Sequence, residues 1–352
     1  MSKGLISHLK ESGSSVLLTG HTGFKGTWLT LLLERLGIEV FGYSLEPDKS
    51  SLYCRLGRTG KVIEVFDDIR NYNKLKEFMS KVQPTFVIHM AAQPLVLESY
   101  DRPKETFDVN VMGTINLLEI SRIVESIKIV GVVTTDKVYK NTGSGRRFIE
   151  SDQLEGSDPY SASKVATESA IKAWSAIKST GNNPRIVSLR AGNVIGGGDL
   201  ANNRLIPDII KGFQLGKKVE IRNSMSTRPW QHVLDPLFGY LAAIEHALHD
   251  DSARAFNFGP SEGSLSVGKV VDIASKILNV EFDLIDNGLP LKYESKFLDL
   301  DSSLAREQLG WSPSWSQEEA ITSTINWWQK VLVQKGDPYT LCLEDIEKRL
   351  LN

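Results

Sequence analysis

The stretch "VLLTGHTGFKGTWLTLLLERLG" (residues 16–37) joins an apolar run to an amphipathic one through a loop with glycines at positions 20, 23 and 26. The apolar run reads as a buried strand, and residues 25–36 read as a helix that opens directly from the loop. Glycines at such a junction permit a tight turn and let an anion approach the backbone. The helix amides and the positive end of the helix dipole would meet it there. The spacing differs from G-x-G-x-x-G, and the strand–loop–helix setting is what points to a dinucleotide's pyrophosphate. Gly20, Gly23 and Gly26 are therefore candidate cofactor residues.

Outward from this unit, apolar runs at 39–43, 61–65, 86–90, 127–134 and 185–189 read as strands. Helix-length segments at 72–82, 103–124 and 160–179 lie between several of them. Strands alternating with helices imply right-handed crossovers and a buried parallel sheet, an α/β fold of the doubly wound Rossmann type. Past about Gly192 the rhythm changes. "NVIGGGDLANNRLIPD" (193–208) is a glycine-rich loop leading into a short helix. Further on, Ser316 and Glu319 fit a capping box, and Ile321, Ile325, Trp328 and Leu332 follow at helical spacing. The expected organisation is a cofactor domain over 1–190, with a return segment near 228–260. Residues 191–352 form mainly a smaller mixed α/β lobe that binds substrate. Two helical stripes, Phe107/Val111/Ile115/Leu118 and Ala166/Ile171/Trp174/Ile177, suit packing on the sheet, with pairing across a dimer as the weaker use.

The 352 residues are 41% hydrophobic and 24% charged, and the net charge of -2 gives no global pull toward nucleic acid or membrane. No basic tract is interleaved with stacking aromatics, so no nucleic-acid partner is expected. Locally, residues 185–231 hold eight basic side chains against three acidic ones, which suits either an anionic small molecule or a solvated face. Cys54 and Cys342 are far apart, the N-terminal residues lack the apolar core of a signal peptide, and no run approaches the roughly 18 apolar residues that span a bilayer. A soluble cytoplasmic protein is the expectation. Six scattered histidines without paired Cys/His spacing predict no metal site, and His89 and His232 read as structural.

Chemistry gathers in two stretches. In "DPYSASKVATESA" (158–170), Tyr160 and Lys164 share a helix face. A tyrosine can serve as base toward a sugar hydroxyl if its pKa falls, a nearby ammonium favours the phenolate, and the same lysine can hold a nicotinamide ribose. In "GVVTTDKVYKN" (131–141), Thr134, Thr135, Asp136 and Lys137 end a strand at its carboxyl edge, where open α/β sheets place ligands. Asp68 and Ile69, after the third strand, are placed to meet an adenine. The second strand does not end on an acid, with Glu46 and Asp48 lying slightly beyond, and so leaves NAD and NADP open.

With "GHTGFKGTWL" (20–29), "HMAAQPLV" (89–96), "VNVMGT" (109–114), "TTDKVY" (134–139), "DPYSASK" (158–164), "RAGNVIGGGD" (190–199) and "RPWQHVLDPL" (228–237), the chain resembles the extended short-chain dehydrogenase/reductases that modify nucleotide sugars. Within them it is most similar to the CDP-D-glucose 4,6-dehydratase group. The resemblance spans about residues 14–330. It implies NAD as cofactor, CDP-D-glucose as substrate and a homodimer or homotetramer. It extends the cofactor set to Thr22, Phe24, Lys25, Ala91, Ala92, Gln93, Asn110 and Thr134. The catalytic set it implies is Thr135, Asp136, Lys137, Tyr160 and Lys164, with Tyr160 taking the C4 hydroxyl proton, Thr135 bonding that hydroxyl and Asp136 protonating the departing C6 hydroxyl. It places Asn193, Arg204, Arg222 and Arg228 on the substrate's diphosphate and nucleotide. Two departures stand out: Lys137 occupies the place of the glutamate found in dehydratases of the dTDP-glucose type, as is usual in the CDP-glucose group, and Leu200 stands where an aromatic commonly follows the aspartate of "GGGD".

Overall fold

Seven apolar runs pair side by side as one parallel sheet in the computed structural model. The structure describes residues 9–10, 13–143, 145–178, 181–201, 204–216, 224–250, 254–282 and 298–351. The strands are β1 (Ser15–Thr19), β2 (Glu39–Ser44), β3 (Ile63–Phe66), β4 (Phe86–His89), β5 (Ile129–Thr135), β6 (Arg185–Ala191) and β7 (Ala255–Phe258), in the spatial order β7-β6-β5-β4-β1-β2-β3. Val16 of β1 registers with Val40 on one side and Phe86 on the other. β1 and β5 are buried along their whole length, as strands covered on both faces must be, and this is why they read as continuous apolar runs. The strand order reverses between β1 and β4, which opens a crevice at their carboxyl ends.

Helix α1 (Phe24–Arg35) seats Trp28, Leu29, Leu32 and Leu33 in the core. Helix α2 (Tyr72–Val82) is capped by the Asn71 side chain and ends on Gln83 in the left-handed region. The segment expected as one helix over 103–124 is helical through Ser121 and carries a π-helical turn within it: Pro103–Phe107 passes into Asp108–Met112 and then into α3 (Gly113–Ser121). The cause lies at Asn110. Its carboxamide is fixed by the Gln93 amide (2.8 Å), the Gln93 carbonyl (3.1 Å) and Ser163 Oγ (2.9 Å). Its carbonyl accepts the hydroxyls of Thr114 (2.7 Å) and Thr167 (3.0 Å), and the wider turn accommodates these outside partners. Helix α4 (Pro159–Ala176) opens with a capping box between Asp158 and Ser161 and with Pro159 at its first position. The two stripes divide: Leu118 and Ile171 face the core, whereas Phe107 and Ile177 are exposed.

Beyond β6 come α5 (Leu205–Leu215), α6 (Leu234–Ala247), α7 (Val267–Leu278), α8 (Gln317–Leu332) and α9 (Pro338–Leu351). Two short ladders accompany them, Val194–Ile195 with Gln231–His232 and Thr227–Arg228 with Leu265–Ser266. Every residue of α6 except His246 is buried, and the helix presents the Tyr240 hydroxyl to Lys25 of α1. The capping box expected at Ser316 and Glu319 opens α8, whose Ile321, Ile325 and Trp328 are fully buried.

Candidate active site

A cleft of about 1080 Å³ lies over the carboxyl ends of β1, β4 and β5 and is closed on its other side by residues 191–195, 199, 204–208, 226 and 228–230. Its floor begins with the glycine loop. Gly20 sits at φ +74°, and a Cβ there would stand 2.8 Å from the Ala91 nitrogen. At Gly26 a Cβ would stand 2.1 Å from the Gly20 carbonyl oxygen, so this loop closes only with glycine at both places. Gly23 caps α1 with no side-chain bond, and Gly23, Phe24, Lys25 and Gly26 all line the cleft. First-turn amides left uncapped at the N-terminus of a twelve-residue helix form an anion site.

Four side chains of this loop have structural partners. His21 is fully buried, lies 2.6 Å from where a Cβ of Gly42 would be, and bonds Glu64 at 2.8 Å. Thr22 Oγ1 bonds Ser44 Oγ at 2.7 Å and so ties the loop to β2. The Phe24 ring packs against Gly196, and Lys25 turns inward to donate to the Tyr240 hydroxyl at 3.2 Å.

The far end of the cleft is lined by Ser44, Leu45, Asp67, Asp68 and Ile69. Arg70 holds the Asp68 carboxylate through Nε (2.9 Å) and a second nitrogen (2.6 Å), and this pairing keeps the acid below its usual pKa. Ile69 rests on Gly113, where a Cβ would collide at 2.6 Å. Asp48 turns away to Ser50 and does not line the cleft. Arg70, the cation beside this end, does not line the cleft and is committed to the Asp68 carboxylate. A 2′-phosphate would meet Asp67 and Asp68 there, so the donor set fits NAD.

Ala91 and Ala92 line the cleft; Gln93 and Asn110 do not. Gln93 Nε2 donates to Thr106 Oγ1 (3.1 Å) and the Leu95 carbonyl (3.1 Å), so both residues brace the wall behind the alanines. Thr134 lines the cleft but commits its hydroxyl to Glu168 at 2.7 Å. Glu168 is ion-paired with Arg190 (2.8 Å), which also donates to the Tyr139 hydroxyl (2.9 Å). This buried network fixes the end of β5 from behind and is not evident in the sequence. Its only trace there is an acid four residues after Lys164.

At the strand end, Thr135 Oγ1 donates to Asp136 Oδ1 at 3.0 Å, and Lys137 Nζ donates to the same oxygen at 3.2 Å. Asp136 is 1% exposed and its Oδ2 has no partner among the described residues; Gly192 leaves room beside it, since a Cβ there would stand 3.2 Å away. Tyr160 lines the same region, and burial pushes its pKa up to about 12, opposed by a hydrogen bond it shares with Thr135. Lys164 is buried behind it with Nζ on the Val133 carbonyl at 3.3 Å, and burial lowers its pKa to about 8. Asn193, Arg204 and Arg228 line the opposite wall, with Arg204 held by Asp199 at 3.1 Å. Arg222 lies outside the described residues.

His89 sits under the cleft, with Nδ1 2.6 Å from Thr19 Oγ1 and Nε2 3.0 Å from Thr114 Oγ1. Burial pushes its pKa from 6.5 down to about 3. The unfolded chain therefore binds a proton below pH 6.5 that the folded chain refuses. This contribution is fully present above the unfolded value and is lost as pH falls toward 3, at about 1.4 kcal/mol per pH unit. In thermal melts across that window, His89→Gln is expected to lose stability with acid less steeply than the wild type; equal slopes would refute the assignment. His232 is likewise fully buried, packed against Trp28 and Trp315.

The family described as "NAD dependent epimerase/dehydratase family" matches residues 16–259, which include the glycine loop, the β5 end and the Tyr160/Lys164 pair. The chain belongs to this family. Its cofactor is NAD, in keeping with the uncapped glycine loop and the acid-lined adenosine end. The chain is 40% identical over 344 residues to the CDP-glucose 4,6-dehydratase of Salmonella typhimurium strain LT2, an alignment covering 94% of each protein. Among solved structures, the UDP-glucose 4-epimerase of Thermotoga maritima with UDP-glucose superposes at TM-score 0.79, with 22% identity over 90% of this chain and 99% of that one. The dTDP-glucose 4,6-dehydratase of Bacillus anthracis strain Ames in complex with NAD superposes at 0.73, with 20% identity over 90% and 97%. At these identities the superpositions speak for the fold. Within it, no helix among the described residues is long and apolar enough to cross a membrane.

Proposed function

We propose that the chain is a CDP-D-glucose 4,6-dehydratase, converting CDP-D-glucose to CDP-4-keto-6-deoxy-D-glucose and water. The observation that carries this reading is Asp136: a buried carboxyl with one oxygen free, bordering the cleft beside Thr135 and Tyr160. A 4-epimerase needs the Tyr160/Lys164 pair but no acid directed at C6. The 40% identity to a CDP-glucose 4,6-dehydratase supports the nucleotide and the sugar.

Bound at the glycine loop and along Ser44, Asp68, Ile69, Ala91 and Ala92, NAD supplies the hydride acceptor for C4 and the hydride later delivered to C6. The chain's own residues move the protons. Tyr160 takes the proton of the C4 hydroxyl while Thr135 bonds that oxygen, and Lys164 keeps positive charge behind the phenol. The C4 ketone acidifies C5–H. Asp136 protonates the C6 hydroxyl, which leaves as water, and Lys137 receives the C5 proton and returns it to C5 once C6 has gained hydride. Lys137 Nζ and Asp136 Oδ1 stand 3.2 Å apart, side by side for the elimination. Asn193, Arg204, Arg222 and Arg228 hold the diphosphate and nucleotide. Residues 1–190 with the return segment carry the cofactor, residues 191–352 mainly carry the substrate, and the protein works in the cytoplasm as a homodimer or homotetramer.

The test is purified protein with CDP-D-glucose and catalytic NAD, followed by mass spectrometry. Loss of one water without accumulation of reduced nicotinamide is expected. An unchanged mass with inverted C4 would move the activity to an epimerase, and turnover of only dTDP-, GDP- or UDP-sugars would overturn the nucleotide assignment.

A further inference from the structure

Lys25 leaves the first turn of α1 and runs inward until its Nζ stands 3.2 Å from the Tyr240 hydroxyl and 5.6 Å from the centre of that ring. Tyr240 is fully buried on α6. Among the described residues Lys25 makes no ion pair, and its polar partner is this neutral phenol. The charged groups facing it are two cations, Lys164 of α4 and Arg204 ahead of α5, against one carboxylate, Asp136 beyond β5. Arg204 and Asp136 already have partners in Asp199 and Lys137. Tyr160 faces the pair through Tyr240. Burial, with the two cations adding to it, holds the Lys25 ammonium down at about 7.

The turn that carries Lys25 is the turn whose uncapped amides face the cleft. An anion bound to those amides adds negative charge next to a half-buried cation that has no carboxylate partner among the described residues. We propose that Lys25 and Tyr240 form a proton-accepting pair that becomes charged as the dinucleotide's diphosphate enters the glycine loop. The step is a protonation alone: Lys25 gains an N–H bond, the proton comes from solvent, and nothing is oxidised or reduced. In the free protein the neutral amine spares the cleft a further uncompensated buried charge, and in the complex the ammonium holds the anion. A permanently charged or apolar side chain could do only one of these.

Calorimetric titration of NAD into the full chain freed of bound dinucleotide, at about pH 8 in two buffers of different ionisation enthalpy, counts the protons taken up. Lys164 contributes in every protein, so the comparison between proteins is what is read. Wild type is expected to take up more than about half a proton beyond Lys25→Met and Lys25→Arg, since a methionine cannot titrate and an arginine stays charged. Between about pH 8 and 9 the wild-type affinity for NAD is expected to fall several-fold more than that of Lys25→Arg. Tyr240→Phe, which keeps the amine but removes the oxygen that accepts from the ammonium, should shift the uptake to lower pH. Equal uptake in wild type and Lys25→Arg would overturn the proposal. So would uptake driven by CDP alone to the same extent as by NAD, because that would place the sensed anion on the substrate side.

Discussion

Tyr160→Phe is expected to lower turnover of CDP-D-glucose by about 10²–10⁴-fold while leaving NAD binding close to wild type. The substitution removes one oxygen from a side chain that is 7% exposed and otherwise held by its backbone, with the Tyr160 amide donating to Ser99 Oγ at 3.1 Å and its carbonyl accepting from Ser163 Oγ at 2.7 Å. The ring therefore stays in place, and what disappears is the acceptor for the C4 hydroxyl proton. Burial alone carries this phenol the wrong way for a base, up to about 12. Deprotonation has to be favoured by positive charge around it, from Lys164, Arg204 and the oxidised nicotinamide. Lys164→Met should accordingly shift the alkaline onset of activity upward, as Tyr160→Phe cannot. Steady-state kinetics with intrinsic-fluorescence titration of NAD separates the two losses. Turnover within tenfold of wild type in the phenylalanine variant would remove Tyr160 from the chemistry.

Asp136→Asn is expected to divide the reaction. Asparagine has nearly the same shape and can still accept from Thr135 and Lys137, but it has no acid proton to give the C6 hydroxyl. Formation of the 4-keto-6-deoxy product should fall by about 10²–10⁴-fold, whereas oxidation at C4 remains available. Mixing the variant with CDP-D-glucose should therefore leave nicotinamide reduced and the sugar with its C6 oxygen, a state that does not accumulate in wild type. KM should change little, because Asp136 lies at the β5 end, opposite the wall formed by Asn193, Arg204 and Arg228. Loss of nicotinamide reduction together with product would show instead that Asp136 acts before elimination, through Thr135 and Tyr160.

Much of this architecture was legible along the chain because its determinants are local. Alternation of buried apolar runs with helices identifies a parallel sheet. Residue types at helix ends identify caps, as Ser316 with Glu319 illustrates. The helix expected over 103–124 runs to Ser121, but the π turn inside it has the opposite kind of cause. Nothing within it signals the π turn, which answers to Gln93, Ser163 and Thr167 brought against Asn110 by folding. Gln93 and Asn110 also show the limit of a motif: the pattern marks their positions, while the fold turns their side chains into the wall.

By itself the sequence determined the sheet, the glycine loop that opens α1, and the residues Thr135, Asp136, Tyr160 and Lys164 placed at strand and helix ends. These follow from periodicity, from backbone geometry available only to glycine, and from four-residue spacing on a helix. The tertiary structure decided what depends on groups far apart in the chain. It placed Glu168 and Arg190 behind Thr134, set His21 against Gly42 and Glu64, and brought Lys25 to Tyr240 across 215 positions of sequence. Burial and neighbouring charge set the protonation of these groups, and both exist only once the sheet and α6 have packed.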